Sequence, residues 1–201
     1  GFPVELTAEI AAERGKPINF EEVKKKMEEH QATSRAGGAQ KFAGGLADHA
    51  EQTVRYHTAH HLLLKALQMV LGSDVHQRGS NITSERLRID FSYGAKMTPE
   101  QLNAVELIVN EKIKEEIPVI RTDMPKEEAE KLGAEHEFGV KYPDTVSVYS
   151  VGALGSAFSI EFCGGPHVEN TRELGVGGKN FKITKEEASS AGVRRIKAVL
   201  Q

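Results

Sequence analysis

A dense apolar run between Asp48 and Leu71 constrains the fold more than any other feature of the chain. Leu63, Leu67 and Val70 share one helical stripe, and Leu62, Ala66 and Met69 widen it. A stripe this broad predicts a long helix packed on a sheet, stopped by Gly72. Next, Leu87, Ile89, Phe91 and Tyr93 alternate with Arg88, Asp90 and Ser92, the pattern of a half-buried strand. A second helix is marked by Thr98 as cap, Pro99 at its first position and Gln101 completing a capping box. Its apolar face is Leu102, Val105, Val109 and Ile113. Strands are expected at 117–122, 145–151, 157–162 and 193–199, and a short helix at 125–132 ended by Gly133. The span 184–190 reads equally as helix or loop. Without a regular βαβ rhythm or an internal repeat, the expected class is α+β, a largely antiparallel sheet packed with helices.

Upstream, Thr7 is placed to cap a short helix that Gly15 ends. Asn19 and Glu22 have capping-box spacing, followed by Phe20, Val23 and Met27 at helical intervals. Lys24, Lys25, Lys26, Glu28 and Glu29 read as its solvated face. Residues 34–47, rich in Gly and Ala, read as a linker and do not form a nucleotide-binding glycine fingerprint. The expected division is a helical segment with linker over 1–45 and a second domain over 46–201. The chain begins with Gly1 rather than Met and reads as a piece of something longer.

With 39% hydrophobic and 27% charged residues, the 201-residue chain has the composition of a soluble globular protein. No apolar run approaches a membrane span, and no signal-peptide pattern opens it. A single cysteine, Cys163, excludes an intrachain disulfide and favours a reducing compartment. The net charge of −3 means that nucleic-acid contact would need a local basic patch. Arg78, Arg86 and Arg88 flank the first expected strand, and Lys179, Lys182, Lys185, Arg194, Arg195 and Lys197 lie near the end. They could track phosphates, or equally form a solvated mixed-charge surface.

Two residue pairs carry the chemistry. His57 and His61 lie one helical turn apart on one face, close enough to share a metal. Cys163 and His167 are separated by two glycines and a proline, which force a turn that can return thiolate and imidazole to one point. Either pair alone is a weak signal, more often surface or packed residues. Both pairs in one chain, with the only cysteine in one, favour zinc in a tetrahedral set of nitrogen and sulfur ligands. The H-E-x-x-H pattern of metalloproteases is absent. His60 faces about 100° away on the helix and reads as a supporting or packing residue. His30, His49, His76 and His136 read as exposed. In strand 157–162, Phe158, Ile160 and Phe162 are expected to point into the core, with Ser159, Glu161 and Cys163 opposite. Glu161 then either shares a cleft with the metal, orienting water or an ammonium group, or is a solvent-facing strand residue.

The segments HTAHHLL (57–63), QRGSNITSERLRIDF (77–91), CGGPHVENTRELG (163–175) and SSAGVRRIKAV (189–199) resemble the editing domain of alanyl-tRNA synthetases. GFPVELTAEIAAERG (1–15) resembles the segment preceding it. Free-standing alanyl-tRNA editing proteins and the threonyl-tRNA synthetase editing domain are similar in the two metal motifs. The resemblance implies Zn2+ at His57, His61, Cys163 and His167. It implies Gln77 in the amino-acid pocket, near the reacting ester. Thr58, Gly79 and Ser80 are the candidate substrate contacts, and Glu161, from its place on the strand, is the candidate catalytic carboxylate for water or amine contact. Arg78, Arg86, Arg194 and Arg195 are the candidate RNA contacts. The implied activity is hydrolysis of seryl- or glycyl-tRNA(Ala) in the cytoplasm, with tRNA(Ala) and the rest of a synthetase chain as partners and no membrane. The chain departs from the family pattern at His60, Pro166 and Arg172. It also lacks the β-barrel that usually precedes the first histidine motif, which moves the expected architecture toward the threonyl type.

Overall fold

A computed structural model describes residues 10–15, 19, 22, 23, 25, 26, 28, 46–136 and 142–201. The chain divides into two compact units, Gly1–Phe42 and Ala43–Gln201. In the first, residues 10–13 are helical and Gly15 follows with φ of +69°. Lys25, Lys26 and Glu28 are exposed. The expectations for Thr7, Phe20, Met27, His30 and the glycine-rich stretch up to residue 45 lie outside the described residues.

The second unit opens with α1 (Glu51–Leu71), followed by β1 (Gln77–Ile82), β2 (Leu87–Ser92) and α2 (Pro99–Lys114). Next come β3 (Val119–Pro125), α3 (Lys126–Lys131), β4 (Thr145–Val151) and β5 (Ser159–Phe162). It ends with β6 (Phe181–Ser190) and β7 (Val193–Leu200). The class is α+β and every strand pair is antiparallel. The strands form two sheets rather than one, ordered β1-β2-β7-β6 and β3-β4-β5. The larger core lies where α1 and α2 meet the four-stranded sheet, with Leu62, Leu63, Leu67, Ile89, Phe91, Val105, Val109 and Ile196 fully buried.

Local chemistry explains the helices. Gln101 donates its backbone N–H to the Thr98 hydroxyl, and its side-chain oxygen accepts from Thr98 N, so the capping box is complete. The α1 stripe holds except at its edge: Met69 is 57% exposed, because a sheet covers only part of a helix circumference. Two strands escaped the pattern. β1, with its Arg, Gly, Ser and Asn, has little strand propensity and forms because it pairs with β2 from Gln77↔Phe91 to Ile82↔Leu87. The ambiguous 184–190 span lies in β6, where pairing supplies what its composition does not: Glu186 faces Ile196 and Glu187 faces Arg195. The expected strand 117–122 begins and ends later, as β3.

β5 corrects one expectation. Its two faces do alternate, but both are covered, since β5 packs near α1 and also on a small cluster of Met124, Val146, Val148 and Phe162. Glu161 is therefore 7% exposed and Ser159 4% exposed, so the solvent-facing reading of Glu161 does not hold.

Candidate metal centre

α1 delivers His57 and His61 on one buried face, and the turn after β5 delivers Cys163 and His167 to the same point. Gly165 makes that turn possible. Its φ is +69°, and a Cβ there would lie 2.4 Å from the Tyr149 hydroxyl oxygen. The four potential ligand atoms all lie within 4.8 Å of one another. Cys163 Sγ is 3.4 Å from His57 Nε2 and 3.2 Å from His167 Nε2. Those separations approach the roughly 3.5 Å expected between sulfur and nitrogen across a tetrahedral zinc with bonds of about 2.3 and 2.0 Å.

Proton counting shows why these residues suit a cation. His57 Nδ1 donates to the Pro166 carbonyl at 3.0 Å, which leaves Nε2 bare in the neutral ring. His167 Nδ1 lies 3.1 Å from Thr58 Oγ1. That oxygen also accepts from Val168 N at 3.2 Å, and its own hydroxyl is 3.4 Å from the Val54 carbonyl. With Thr58 as acceptor, His167 too presents a bare Nε2. Both bare nitrogens face one sulfur that carries at most one proton. Lone pairs converge here without enough hydrogens between them, the condition a bound cation satisfies. These carbonyl and hydroxyl partners also fix ring orientation, as second contacts do in metal sites.

Burial is the first cause of every shift in the cluster. It lowers His57 to about 4 and His60 to about 3, and holds His61 and His167 well below the usual imidazole range. It pushes the Cys163 thiol up to about 12, against the opposing Gly165 N–H. A coordinated cation would reverse this, because it binds the thiolate. Glu161 stands beside the set, with an oxygen 3.4 Å from His61 Nε2. Burial, then the neighbouring Glu135, raises its carboxyl to about 8, and Lys65 opposes them. His60 is 2% exposed and neither ring nitrogen has a partner among the described residues.

The remaining sequence candidates are placed as follows. Thr58 is fully buried and serves His167. Gln77 and Ser80 are half-buried on β1, and Gly79 sits against Asp90 at a register shift. Arg78 is exposed. Arg86 donates to Asn81 Oδ1 at 3.0 Å. Arg194 pairs with Glu186, and Arg195 with Asp90 at 2.6 and 2.8 Å. His49, His76 and His136 are exposed. A polar cavity of about 130 Å³ that sequence reasoning missed adjoins Glu161, lined by Lys65, Gln68, Glu135 and Ser159 among others. Gln68, seven residues after His61 on the same helix face, was a usable signal. Glu135, in an irregular segment, offered none.

Residues 146–197 match the family model described as the threonyl and alanyl tRNA synthetase second additional domain. The whole chain is 56% identical over 201 residues to an alanine–tRNA ligase of Treponema denticola, of which it covers 32%. Residues 146–197 thus carry the likeness to the second additional domain of threonyl and alanyl tRNA synthetases. A Borrelia garinii alanine–tRNA ligase is 53% identical over 203 residues, again with all of this chain and 32% of the relative. One from Bacillus velezensis is 47% identical over 174 residues, covering 85% of this chain and 19% of the relative. The chain thus spans about a third of the length of the first two relatives. The family match covers β4 to β7 and includes Glu161, Cys163 and His167. His57 and His61 lie outside it, on α1.

Proposed function

We propose that this chain is the editing part of an alanyl-tRNA synthetase, a hydrolase that removes serine or glycine wrongly esterified to tRNA(Ala). The observation that carries the reading is the convergence of His57, His61, Cys163 and His167, with the Glu161 carboxylate 3.4 Å from His61. Alanine gives the chemical need for such a site. One methyl group distinguishes it from glycine and one hydroxyl from serine, differences that binding alone discriminates poorly, and a second hydrolytic site is the general remedy.

His57, His61, Cys163 and His167 hold Zn2+ in this reading. A bound zinc ion supplies a Lewis acid that polarises an ester carbonyl or acidifies water. The chain's own residues orient the rest. Thr58 and the Pro166 carbonyl hold the imidazoles, Glu161 orients water or the substrate amine, and Gln77, Gly79 and Ser80 approach the aminoacyl end from β1. Arg78 and Arg86 are the basic candidates for the phosphate backbone. Arg194 and Arg195 are already committed to carboxylates and contribute less. The partners are tRNA(Ala) and the remainder of the synthetase, in the cytoplasm.

The test is deacylation by the zinc-loaded chain of Ser-tRNA(Ala) against Ala-tRNA(Ala). Preferential loss of serine is expected, and Gln77→Ala should slow it with zinc retained. One observation favours a second reading: four protein ligands fill a tetrahedral ion, as in structural sites. A tRNA-binding module with structural zinc would bind both charged tRNAs and hydrolyse neither.

A further inference from the structure

The four potential metal ligands are sealed on one side and accessible on the other. α1 buries His57 and His61, whereas Cys163, Pro166 and His167 on the turn are half-buried and Gly164 is exposed. The accessible edge of the set is therefore the turn, and Tyr149 of β4 stands beside it. Tyr149 pairs directly with Arg121 on one strand and Glu161 on the other, so the three side chains share one sheet face. That row runs from exposed Arg121 through half-buried Tyr149 to buried Glu161. The Tyr149 ring lies against His167, with centroids 4.3 Å apart and planes tilted by 53°. Its hydroxyl takes the space that a Cβ on Gly165 would fill. The hydroxyl is also uncommitted: it makes no hydrogen bond among the described residues and is not one of the polar atoms sealed from solvent. Arg121, the other donor in the row, is already bonded to Ser147 at 2.9 Å and to Asp123 at 3.2 Å. Burial raises the phenol above its usual value, with Arg121 opposing, so the proton stays on the oxygen at neutral pH.

We propose that Tyr149 is a further catalytic residue, whose hydroxyl donates a hydrogen bond to the carbonyl oxygen of an ester bound at the centre and holds that oxygen as it becomes an oxyanion. The inference rests on the editing reading, in which the ester joins an amino acid to the terminal ribose of the tRNA. Water adds to the carbonyl carbon, and the π pair of the C=O bond moves onto the oxygen. Collapse returns that pair, the bond from carbon to the ribose oxygen breaks, and the leaving oxygen takes the proton that the water gave up. Tyr149 keeps its own proton throughout. Its task is to stabilise charge, which a donor fixed in advance does best at the atom where charge develops. His167 on one side of the ring and Gly165 under the hydroxyl fix this donor in place.

Tyr149→Phe removes the oxygen and keeps the ring on His167, so it isolates the hydroxyl. In the zinc-loaded chain, single-turnover deacylation of Ser-tRNA(Ala) should slow at least tenfold in this variant, with zinc content and melting temperature at wild-type values. A wild-type rate in Tyr149→Phe overturns the inference and leaves the editing reading standing. Slowing that comes with lost zinc or a lowered melting temperature makes Tyr149 a packing residue and overturns it too. A second probe separates the two readings: a seryl-adenosine analogue with a phosphonate in place of the ester carbonyl, whose anionic oxygens stand in for the oxyanion. Calorimetric titration should show at least tenfold weaker binding to Tyr149→Phe than to the wild-type chain. If the wild-type chain hydrolyses no ester, the editing reading falls. The Tyr149 donor then survives only on that tenfold loss, and equal or absent phosphonate binding overturns it.

Discussion

The polar residues of this domain fall into two regions with opposite accounting. On the four-stranded sheet, most charges are matched in place, although Arg88 Nε and Glu186 Oε2 are buried without a hydrogen-bond partner among the described residues. Arg195 makes two hydrogen bonds to Asp90, Arg194 pairs with Glu186, and Lys182 reaches Glu106 at 2.8 Å. Between α1 and the turn after β5, the accounting stays open. Three imidazoles and one thiol converge with too few protons, and His60 has two unpartnered ring nitrogens among the described residues. The sheet's charges are largely neutralised by its own side chains. The centre instead gathers four residues that could hold a metal ion, and that difference separates the two regions more clearly than residue type does. Arginines near a strand looked like RNA contacts by composition, and their partners show where that charge is already spent.

The contrast can be broken at three points. The largest effect should follow metal removal. If the centre needs a cation, chelation should lower the melting temperature by about 10 °C or more. That is the shift of a roughly 4 kcal/mol loss at this chain length. Thermal denaturation with and without chelator measures it, and an unchanged midpoint would place the cluster with the matched region.

The second point is acid. His57 and His60 have folded-state values of about 4 and about 3, below an unfolded value near 6.5. The unfolded chain therefore binds more protons in that window, and stability falls as pH drops from about 6.5 through 4. Each group removes on the order of 2 kcal/mol at pH 5. His61 and His167 act in the same direction. Glu161 acts the other way, because its raised value gives the folded state the extra proton between its ordinary value and about 8. Four imidazoles outweigh one carboxyl, so denaturant midpoints of the metal-free protein should fall between pH 6.5 and 4. His60→Leu should flatten that fall.

The smallest effect belongs to the matched region. Arg195→Met should cost about 1–2 kcal/mol, the worth of hydrogen bonds to a charged partner. Zinc content and deacylation should stay at wild-type values. A loss of tRNA affinity in this variant would restore Arg195 to the RNA surface.

Much of this division was written in local pattern. The α1 stripe, the Thr98–Gln101 capping box, the helical His57–His61 pair and the glycine turn from Cys163 to His167 each depend on neighbours a few residues away. Helix periodicity and cap chemistry are short-range effects, so the sequence determined them, and with them the identity of the convergent residues. The strands β1 and β6 were not legible, because polar segments become strands only when a partner supplies hydrogen bonds and cross-strand contacts. The same holds for Glu161. Alternation along β5 predicted which face it takes, but not that α1 would cover that face and bury the carboxylate. Glu135 came to it from 26 positions away in the chain, through a single bridge. Proximity of that kind is set by packing between elements. Tertiary structure alone decided which polar groups were neutralised, which were left open, and where a cavity formed between them.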